Sequence, residues 1–308
     1  MLKITANTVL DILLRLRINF RKNNITGNEE PFRSELYSSD QMNRHGIAVA
    51  KAHTLEKSRT SDRLLKRLDD YEATLLEIRN LLIVNIRSGQ TVSPAAEWLL
   101  DNYYLIEEQI AIARKHLPKE YSKGLPCLSN GASTGMPRIY DIVLEIISHS
   151  DGRVDIENLV GFVSSYQTVT ALTLGELWAI PITLRLAVIE NLRRVCEKIA
   201  LDMIDRNLAN YWTGKMIETA AENPGNLILV IADMARSKPV LGGAFVAGFL
   251  QKLQAKGTAF ALPLNWMEQQ LFALGFNSDD LVRVENQKQA AYQVSVRNSI
   301  GTLRFLGN

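Results

Sequence analysis

The sequence predicts an all-α fold, either a multi-helix bundle or an irregular array of helices resembling an α-solenoid. Apolar residues recur at helical spacing through most of the 308 residues. Residues that start or cap helices recur along the chain, and strand-like alternation is nearly absent apart from a brief hint at residues 292–296. No internal repeat stands out, although helices of this length can stack as a solenoid.

Helix-starting residues indicate the first elements in chain order. Ser93 followed by Pro94 has the pattern of an N-cap with proline at the first helical position. Asp155 opens a later helix, and Thr173 with Glu176 has the spacing of a capping box. The helices expected in this part of the chain are 5–20, one from Thr60 or Ser61 to near Arg87, 93–116, 137–148 and one after Asp155.

The second half of the chain continues in the same style. Pro181 either starts a new helix or kinks the one before it. The helices expected from there onward are 181–206, 207–221, 225–237, 243–255, 264–274 and 278–296.

The loop at 117–136 is rich in Gly and Pro, and a loop of that length is either functional or a connection between domains. We therefore expect one all-α domain at 59–308, with any subdivision near 117–136. The segment 1–58 is expected to be loosely attached and to consist of an amphipathic helix, a loop and a short helix.

The charge balance and the cysteines exclude several classes of protein. The 35 Lys and Arg against 33 Asp and Glu leave a formal charge of +2, so no basic field points to nucleic acid. Cys127 and Cys196 are widely separated, which favours thiols in a reducing compartment over a disulfide framework. The chain lacks a signal-peptide cleavage site and any apolar stretch of about 18 residues, so we expect a cytoplasmic protein without a transmembrane segment.

The basic stripe at residues 5–22 has two interpretations. A helix of this kind can lie on an anionic membrane surface, which would give the chain a peripheral contact with the inner face of the membrane. The interpretation that we favour is a helix docked on the rest of the protein, because the stripe is short and has no tryptophan anchor.

No cofactor or metal site is expected from motifs. The four histidines share no metal-ligand spacing with one another or with the cysteines. No Gly-rich phosphate loop, GxSxG turn or Cys/His nucleophile pattern is present. We therefore assign no catalytic residue, no metal ligand and no cofactor.

Two segments place polar and charged residues inside apolar helical sequence, and they carry the candidate site. A charge near an apolar face must be paired or kept at the protein edge, and a tryptophan N–H needs a partner. The first segment, LTLGELWAIPITLRLAVIENLRRV at 172–195, contributes Glu176, Trp178, Arg185, Glu190 and Arg194. The second, SPAAEWLLDNYYLIEEQIAIARKHLP at 93–118, contributes Glu97, Trp98, Asp101, Asn102, Tyr104 and Glu108.

The acids of the second segment have two interpretations. Glu97, Asp101 and Glu108 fall near one face of a helix beside Trp98, and two carboxylates with an aromatic platform are what glycoside chemistry requires. The interpretation that we favour is structural, with these acids paired across a helix interface. The arginines considered as their partners are Arg138, Arg185, Arg193 and Arg194.

Arg185 stands between two leucines and seven residues after Trp178. An arginine in this position is able to hold a carboxylate or a phosphate bidentately. We favour a buried ion pair with Glu97, Asp101 or Glu176, in which loss of one partner is costly.

These segments, together with further strings, resemble the amino-terminal region of the bacterial cyclic β-1,2-glucan synthases. The further strings are GMPRIYD at 135–141, DGRVD at 151–155, LILVIADMARS at 227–237 and QVSVRNSIGTLRFL at 293–306. The resemblance runs from near Arg59 to the last residue. It implies a relationship to very large membrane-bound glycosyltransferases that transfer glucose from UDP-glucose onto a growing β-1,2-glucan at the cytoplasmic face of the inner membrane.

The resemblance also implies that the chemistry lies elsewhere. In that family the transferase and phosphorylase-like modules follow the matched region, and neither a D-x-D motif nor a QxxRW motif occurs in this chain. We therefore expect a non-catalytic assembly or regulatory module, detached or truncated, whose partners are the remaining modules of a glucan synthase. Two alternatives stay open. The helical domain either binds UDP-glucose or glucan itself through Glu97, Asp101 or Arg185, or is a stand-alone interaction protein with a groove lined by Trp98, Tyr104 and Trp178.

Overall fold

A computed structural model of the chain describes residues 29–32, 35–56, 63–117 and 124–307. These residues form eleven α-helices and no strand, so the all-α prediction is confirmed. Two isolated antiparallel bridges pair Leu55 with Leu128 and Cys127 with Pro137. The strand hint at 292–296 is wrong, because these residues lie inside the last helix.

The helices are numbered in chain order. They are α1 (Ser39–Ala52), α2 (Leu64–Arg87), α3 (Pro94–Asp101), α4 (Tyr103–His116), α5 (Arg138–Ser148), α6 (Ile156–Gln167), α7 (Leu174–Glu222), α8 (Leu227–Ser237), α9 (Gly243–Gln254), α10 (Ala261–Ala273) and α11 (Ser278–Gly307). Two short 3-10 helices, Pro224–Asn226 and Thr258–Phe260, precede α8 and α10.

The chain divides into two compact units, and three helices, α2, α7 and α11, run from one unit into the other. The first unit lies within Glu29–Val84, Pro94–Glu197 and Tyr292–Asn308. The second unit, in the described part of the chain, consists of Asn85–Ser93 and Lys198–Ala291. The domain boundary expected near residue 58 stays a prediction, because residues 57–62 lie outside the described residues, as do residues 5–22 with their basic stripe.

Side-chain caps start several helices as their sequences predict. The Asp155 side chain accepts a hydrogen bond from the backbone N–H of Asn158 at the start of α6, at 2.8 Å. At the start of α7, the Thr173 N–H donates to Glu176 Oε2 at 2.8 Å and the Glu176 N–H donates to Thr173 Oγ1 at 3.3 Å. Both capping predictions are confirmed. The expected caps Thr60 and Ser61 lie outside the described residues.

Helix α7 runs through Pro181 without interruption for 49 residues, so the separate helices expected at 181–206 and 207–221 are wrong. A proline in a helix removes one backbone hydrogen bond. The residues that follow it are apolar and buried, including Leu184, Leu186 and Val188, whose exposed fractions are 1%, 1% and 0%. Their burial favours continuing the helix over ending it at the proline, since tertiary packing supplies most helical stability in proteins.

The single helix expected at 93–116 is interrupted at Asn102, between α3 and α4. The Asn102 side-chain amide donates to the Trp98 backbone carbonyl at 2.8 Å, and its side-chain oxygen accepts from Arg304 Nη2 at 3.1 Å. A side-chain amide that bonds the local backbone competes with continuous helix formation. Glu97 and Asp101 therefore do not share one continuous helix face with Glu108.

Helix α5 is buried along most of its length and sets the position of the polar residues of the first unit. Eight of its eleven residues are buried, and they include the charged Arg138. Helix α1 packs against α6 through Gly46, where a Cβ atom would lie 2.8 Å from the carbonyl oxygen of Phe162. This close approach brings the side chains of α1 next to those of α5 and α6.

The second unit has its own apolar core, which includes Phe245 and Phe249 on α9 with ring centroids 6.1 Å apart. None of the helices in the described part of the chain combines the length and the apolar character that crossing a bilayer requires.

Candidate functional site

Arg138 and Glu176 form a buried ion pair between α5 and α7. Arg138 Nε donates to Glu176 Oε1 at 2.8 Å, and Arg138 Nη2 donates to Glu176 Oε2 at 2.6 Å. The exposed fractions of the two side chains are 2% and 0%. Burial acts to lower the pKa of Arg138, but the hydrogen bonds and the charge of Glu176 outweigh it and raise that pKa above its ordinary value.

Glu190 is the centre of a second buried cluster. Its Oε1 accepts from Arg67 Nη2 at 2.9 Å and from Arg194 Nη2 at 2.6 Å, while its Oε2 accepts from the hydroxyl of Tyr140. The Glu190 side chain is 0% exposed. Although burial acts to raise it, the charges of Arg67 and Arg194 hold the pKa of Glu190 below its ordinary value.

Tyr71 and Arg193 extend this cluster. Arg67 Nε donates to the Tyr71 hydroxyl at 2.6 Å, and the Arg193 guanidinium lies 5.2 Å from the centre of the Tyr71 ring. Arg193 Nη1 donates to Glu197 Oε1 at 2.6 Å, and its Nη2 donates to Glu29. Burial raises the pKa of Tyr71, so its hydroxyl stays neutral. Four of the charges conspicuous in the sequence of α7, those of Glu176, Glu190, Arg193 and Arg194, are therefore paired with opposite charges within the protein.

The prediction of a carboxylate partner for Arg185 is wrong in the described part of the chain. Arg185 Nε donates to the side-chain oxygen of Gln109 at 3.0 Å, its Nη1 donates to the Pro181 carbonyl at 3.3 Å, and its Nη2 donates to the Leu306 carbonyl. Burial lowers the pKa of Arg185. Neutral oxygens satisfy this guanidinium because its environment is only partly buried, so a counter-charge is not required.

The acids of α3 and α4 do not pair with the arginines considered for them. Glu97, Asp101 and Glu108 are exposed to solvent, whereas Arg138, Arg193 and Arg194 take Glu176, Glu197 and Glu190 as partners. The expected pairing is therefore wrong. The physical reason is that these acids face water, where a carboxylate needs no counter-charge.

The aromatic residues of the candidate site reach solvent. The exposed fractions are 73% for Trp178, 61% for Tyr104 and 38% for Trp98. The guanidinium of Arg297, which is on α11, lies 5.5 Å from the centre of the Trp98 ring. All of these residues belong to the first unit. A groove lined by the three aromatic side chains stays a prediction.

Sequence reasoning missed a row of histidines between α1 and α5. His53 Nε2 lies 3.0 Å from Asp141 Oδ2, and its Nδ1 lies 2.9 Å from the Tyr166 hydroxyl. One end of the row brings together His45, Glu145 and His149, whose ligand atoms all lie within 4.8 Å of one another. These three residues have the donor set that can hold a metal ion. The one local signal was the Glu-x-x-x-His spacing of Glu145 and His149, which places both on one helix face.

The arrangement separates buried charges from accessible ones. Arg138, Glu176 and Glu190 are 2%, 0% and 0% exposed, so a substrate in solution does not reach them in this conformation. Among the residues of the candidate site, the acids and the aromatic residues of α3, α4 and the start of α7 reach solvent. A role of Glu97, Asp101, Glu108 and the three aromatic residues in chemistry or recognition stays a prediction.

The chain is similar to part of a cyclic beta-(1,2)-glucan synthase. It is 25% identical over 276 residues to the synthase NdvB of Rhizobium meliloti (strain 1021), and the aligned part covers 89% of this chain. It spans 10% of the length of that relative. No protein-family model matches the chain. The relationship to a cyclic β-1,2-glucan synthase that the sequence strings predict is confirmed.

Proposed function

We propose that this chain is a non-catalytic assembly or regulatory module of a cyclic β-1,2-glucan synthase-like glycosyltransferase. One observation supports the non-catalytic role above others. The buried charged residues of α5 and α7 have charged partners within the protein, with Arg138 held by Glu176 and Glu190 held by Arg67 on α2 and by Arg194. Buried charges that compensate one another in this way stabilise a fold, and their carboxylates are already engaged by arginines.

The similarity to NdvB supports the choice of parent enzyme. It covers 89% of this chain but only 10% of the synthase, so this region corresponds to a small share of that protein. We propose that the remaining modules of such a synthase are the partners of this chain. The reaction that they carry out would be glucose transfer from UDP-glucose at the cytoplasmic face of the inner membrane, as the resemblance implies.

The exposed aromatic residues supply the surface for this association. Trp178 is 73% exposed near the start of α7, although a tryptophan side chain has a large apolar area that favours burial. Tyr104 is 61% exposed on α4. Tryptophan and tyrosine are enriched among the residues that dominate binding at protein interfaces. We therefore propose that Trp178, with Tyr104 and Trp98, contacts the remaining modules.

The same exposed indole favours a second candidate function, the binding of glucan by this chain itself. An aromatic ring is able to pack against the apolar face of a sugar. Under this alternative the chain holds the product while other modules extend it, and Trp178 contacts carbohydrate in place of protein.

Association with the rest of a synthase tests the proposal. The purified chain is titrated against a cyclic β-1,2-glucan synthase expressed without the region similar to this chain, and binding is followed by biolayer interferometry. We expect saturable binding for the wild type and a loss of at least about tenfold in affinity for Trp178→Ala, a typical cost at a dominant interface residue. The matched control is Phe272→Ala on the second unit, which removes a side chain that is 85% exposed and should leave binding unchanged.

Parallel titrations with UDP-glucose and with β-1,2-glucan separate the alternatives. Flat titrations together with synthase binding support the proposal. Glucan binding that Trp178→Ala abolishes would favour the second candidate. Absence of any association with the synthase, under conditions where the wild type is folded, would contradict the assignment as one of its modules.

A further inference from the structure

His45 on α1 and the residues Glu145 and His149 at the end of α5 converge on one small site. His45 Nε2 lies 2.8 Å from Glu145 Oε2, and His149 Nε2 lies 3.6 Å from the same oxygen. The exposed fractions of the His45, Glu145 and His149 side chains are 23%, 34% and 9%. The site is therefore half-buried and open on one side to solvent.

The tautomer of His149 follows from its second ring nitrogen. His149 Nδ1 lies 2.8 Å from the backbone carbonyl oxygen of Glu35. A carbonyl oxygen only accepts hydrogen bonds, so Nδ1 carries a proton and Nε2 of the neutral ring carries a lone pair. Tyr37 stacks on the imidazole at 3.9 Å between ring centroids, with 9° between the planes, and holds its orientation.

In this tautomer the unprotonated Nε2 of His149 lies 3.6 Å from a carboxylate oxygen. Two acceptors this close repel each other, and a cation beside both of them, a proton on Nε2 or a metal ion, removes the repulsion. A backbone carbonyl that binds the remote N–H of a histidine is also the arrangement that orients metal-binding histidines and raises their basicity.

The two separations from Glu145 Oε2 to the histidine nitrogens are close to those between the ligands of a tetrahedral metal. Zinc bonds of about 2.0–2.1 Å to nitrogen and oxygen place neighbouring ligand atoms about 3.3 Å apart. The separations of 2.8 and 3.6 Å lie on either side of that value, and all three atoms fall within 4.8 Å of one another. The solvent-exposed side leaves room for a water molecule as the fourth ligand.

We propose that His45, Glu145 and His149 bind a divalent transition-metal ion of the zinc type. To bind the ion, His45 adopts the other neutral tautomer. Its Nε2 gives its proton to solvent, its Nδ1 takes one up from solvent, and the ring stays neutral. It fastens α1 to the carboxyl end of α5, since two of its ligands, His45 and Glu145, are 100 residues apart in the chain. The site shares no residue with the proposed contact surface at Trp178, and this inference stands or falls independently of the proposed function.

A second histidine, directly after the last residue of α1, provides a matched control. His53 already has a partner on each ring nitrogen, with Asp141 Oδ2 at 3.0 Å and the Tyr166 hydroxyl at 2.9 Å. Its side chain is 10% exposed, so replacement tests the loss of a part-buried histidine without touching the three ligands.

Metal binding to the full chain tests the proposal. The protein is stripped with a chelator and titrated with Co²⁺ at neutral pH, followed by visible absorption, and then with Zn²⁺ by calorimetry. We expect one equivalent of Co²⁺ to give the visible bands of four-coordinate cobalt, Zn²⁺ to displace it, and the melting temperature to rise with Zn²⁺ concentration because the ion binds the folded state. His149→Gln should weaken Zn²⁺ binding at least about 100-fold, and His53→Gln should bind as the wild type does.

Several outcomes would overturn the site. These are binding well below one equivalent in the stripped wild type, equal binding in His149→Gln, or an equal loss in His53→Gln. Should His149→Gln fail to fold, His45→Gln at the more exposed ligand decides the question by the same titration. A protein that stays metal-free in both titrations contains a hydrogen-bonded His–Glu cluster only, and the proposal is then wrong.

Discussion

Replacing Arg138 with methionine should leave the carboxylate of Glu176 buried without a cation beside it. The two side chains are 2% and 0% exposed and are joined by hydrogen bonds of 2.8 and 2.6 Å. Removal of one partner from a buried ion pair costs roughly 3–5 kcal/mol, because the remaining charge loses its compensation. Glu176 would keep only its hydrogen bonds with Thr173, at 2.8 and 3.0 Å.

A double-mutant cycle separates the ion pair from the helix cap. Glu176→Gln removes the charge and keeps a side chain that is able to complete the capping box with Thr173. It should also destabilise the protein, since Arg138 is then the uncompensated group. Because the double variant Arg138→Met, Glu176→Gln leaves no buried charge, it should lose less stability than the sum of the two single changes. The expected coupling is roughly 0.5–3 kcal/mol.

Urea unfolding followed by circular dichroism measures these differences, and thermal melting provides a second readout. At about 2–4 °C per kcal/mol for a unit of this size, the Arg138→Met variant should melt roughly 6–20 °C below the wild type. The control is Arg114→Met, whose side chain is 43% exposed beside Asp69 and Glu72. An exposed pair of this kind contributes less than about 1 kcal/mol. An unchanged unfolding midpoint for Arg138→Met, or strict additivity in the cycle, would refute the structural role.

Three further predictions concern stability in the first unit. Arg185→Met should cost about 1–3 kcal/mol in urea unfolding, less than Arg138→Met, because it leaves the neutral Gln109 amide and backbone carbonyls unsatisfied but no unpaired charge; an equal or larger loss would contradict this. Burial acts to raise the pKa of Glu190, but the charges of the neighbouring arginines outweigh it and lower the pKa in the folded protein. The stabilisation that the Glu190 carboxylate provides is therefore fully present above its pKa in the unfolded chain, and it is lost as the pH falls through its pKa in the folded protein. Stability measured from about pH 6 to about pH 3 should therefore fall less steeply in Glu190→Gln than in the wild type, and parallel curves would count against the ion cluster. Gly46→Val should destabilise the packing of α1 on α6 by about 1–3 kcal/mol, measured by thermal melting. The control Gly301→Ala should be neutral or stabilising, because a Cβ atom at that position meets nothing within 4 Å. Equal melting temperatures for the two variants would show that the close approach at Gly46 does not matter.

Local features of the sequence predicted the fold class and several helix starts. Helical periodicity is a property of neighbouring residues, and so are the caps at Asp155 and at Thr173 with Glu176, whose partners lie three residues away. The break at Asn102 was missed because it involves more than local sequence. Its side chain bonds both the preceding turn and Arg304, which is 202 residues distant.

The pairing of charges was predictable in kind but not in partner. Buried pairs of an arginine with a carboxylate were expected. Arg138 forms such a pair with Glu176, which is 38 residues away in the chain. Glu190 is held in part by Arg67, which is 123 residues away in the chain. Arg185 donates to the side-chain oxygen of Gln109 and to backbone carbonyl oxygens in place of a carboxylate. Sequence spacing restricts which residues share a helix face, but it does not show which helices pack together. The same limit concealed the convergence of His45 with Glu145.

Turnover of UDP-glucose by the purified chain tests the central claim most directly, because the claim is that this helical region carries no chemistry of its own. Radiolabelled UDP-glucose is incubated with the full chain, with and without β-1,2-glucan as acceptor, and free glucose and elongated glucan are separated and counted. The account predicts no conversion above a protein-free blank, for the wild type and for Asp101→Asn alike. Conversion by the wild type that Asp101→Asn abolishes would contradict it and would assign chemistry to the exposed acids of α3 and α4.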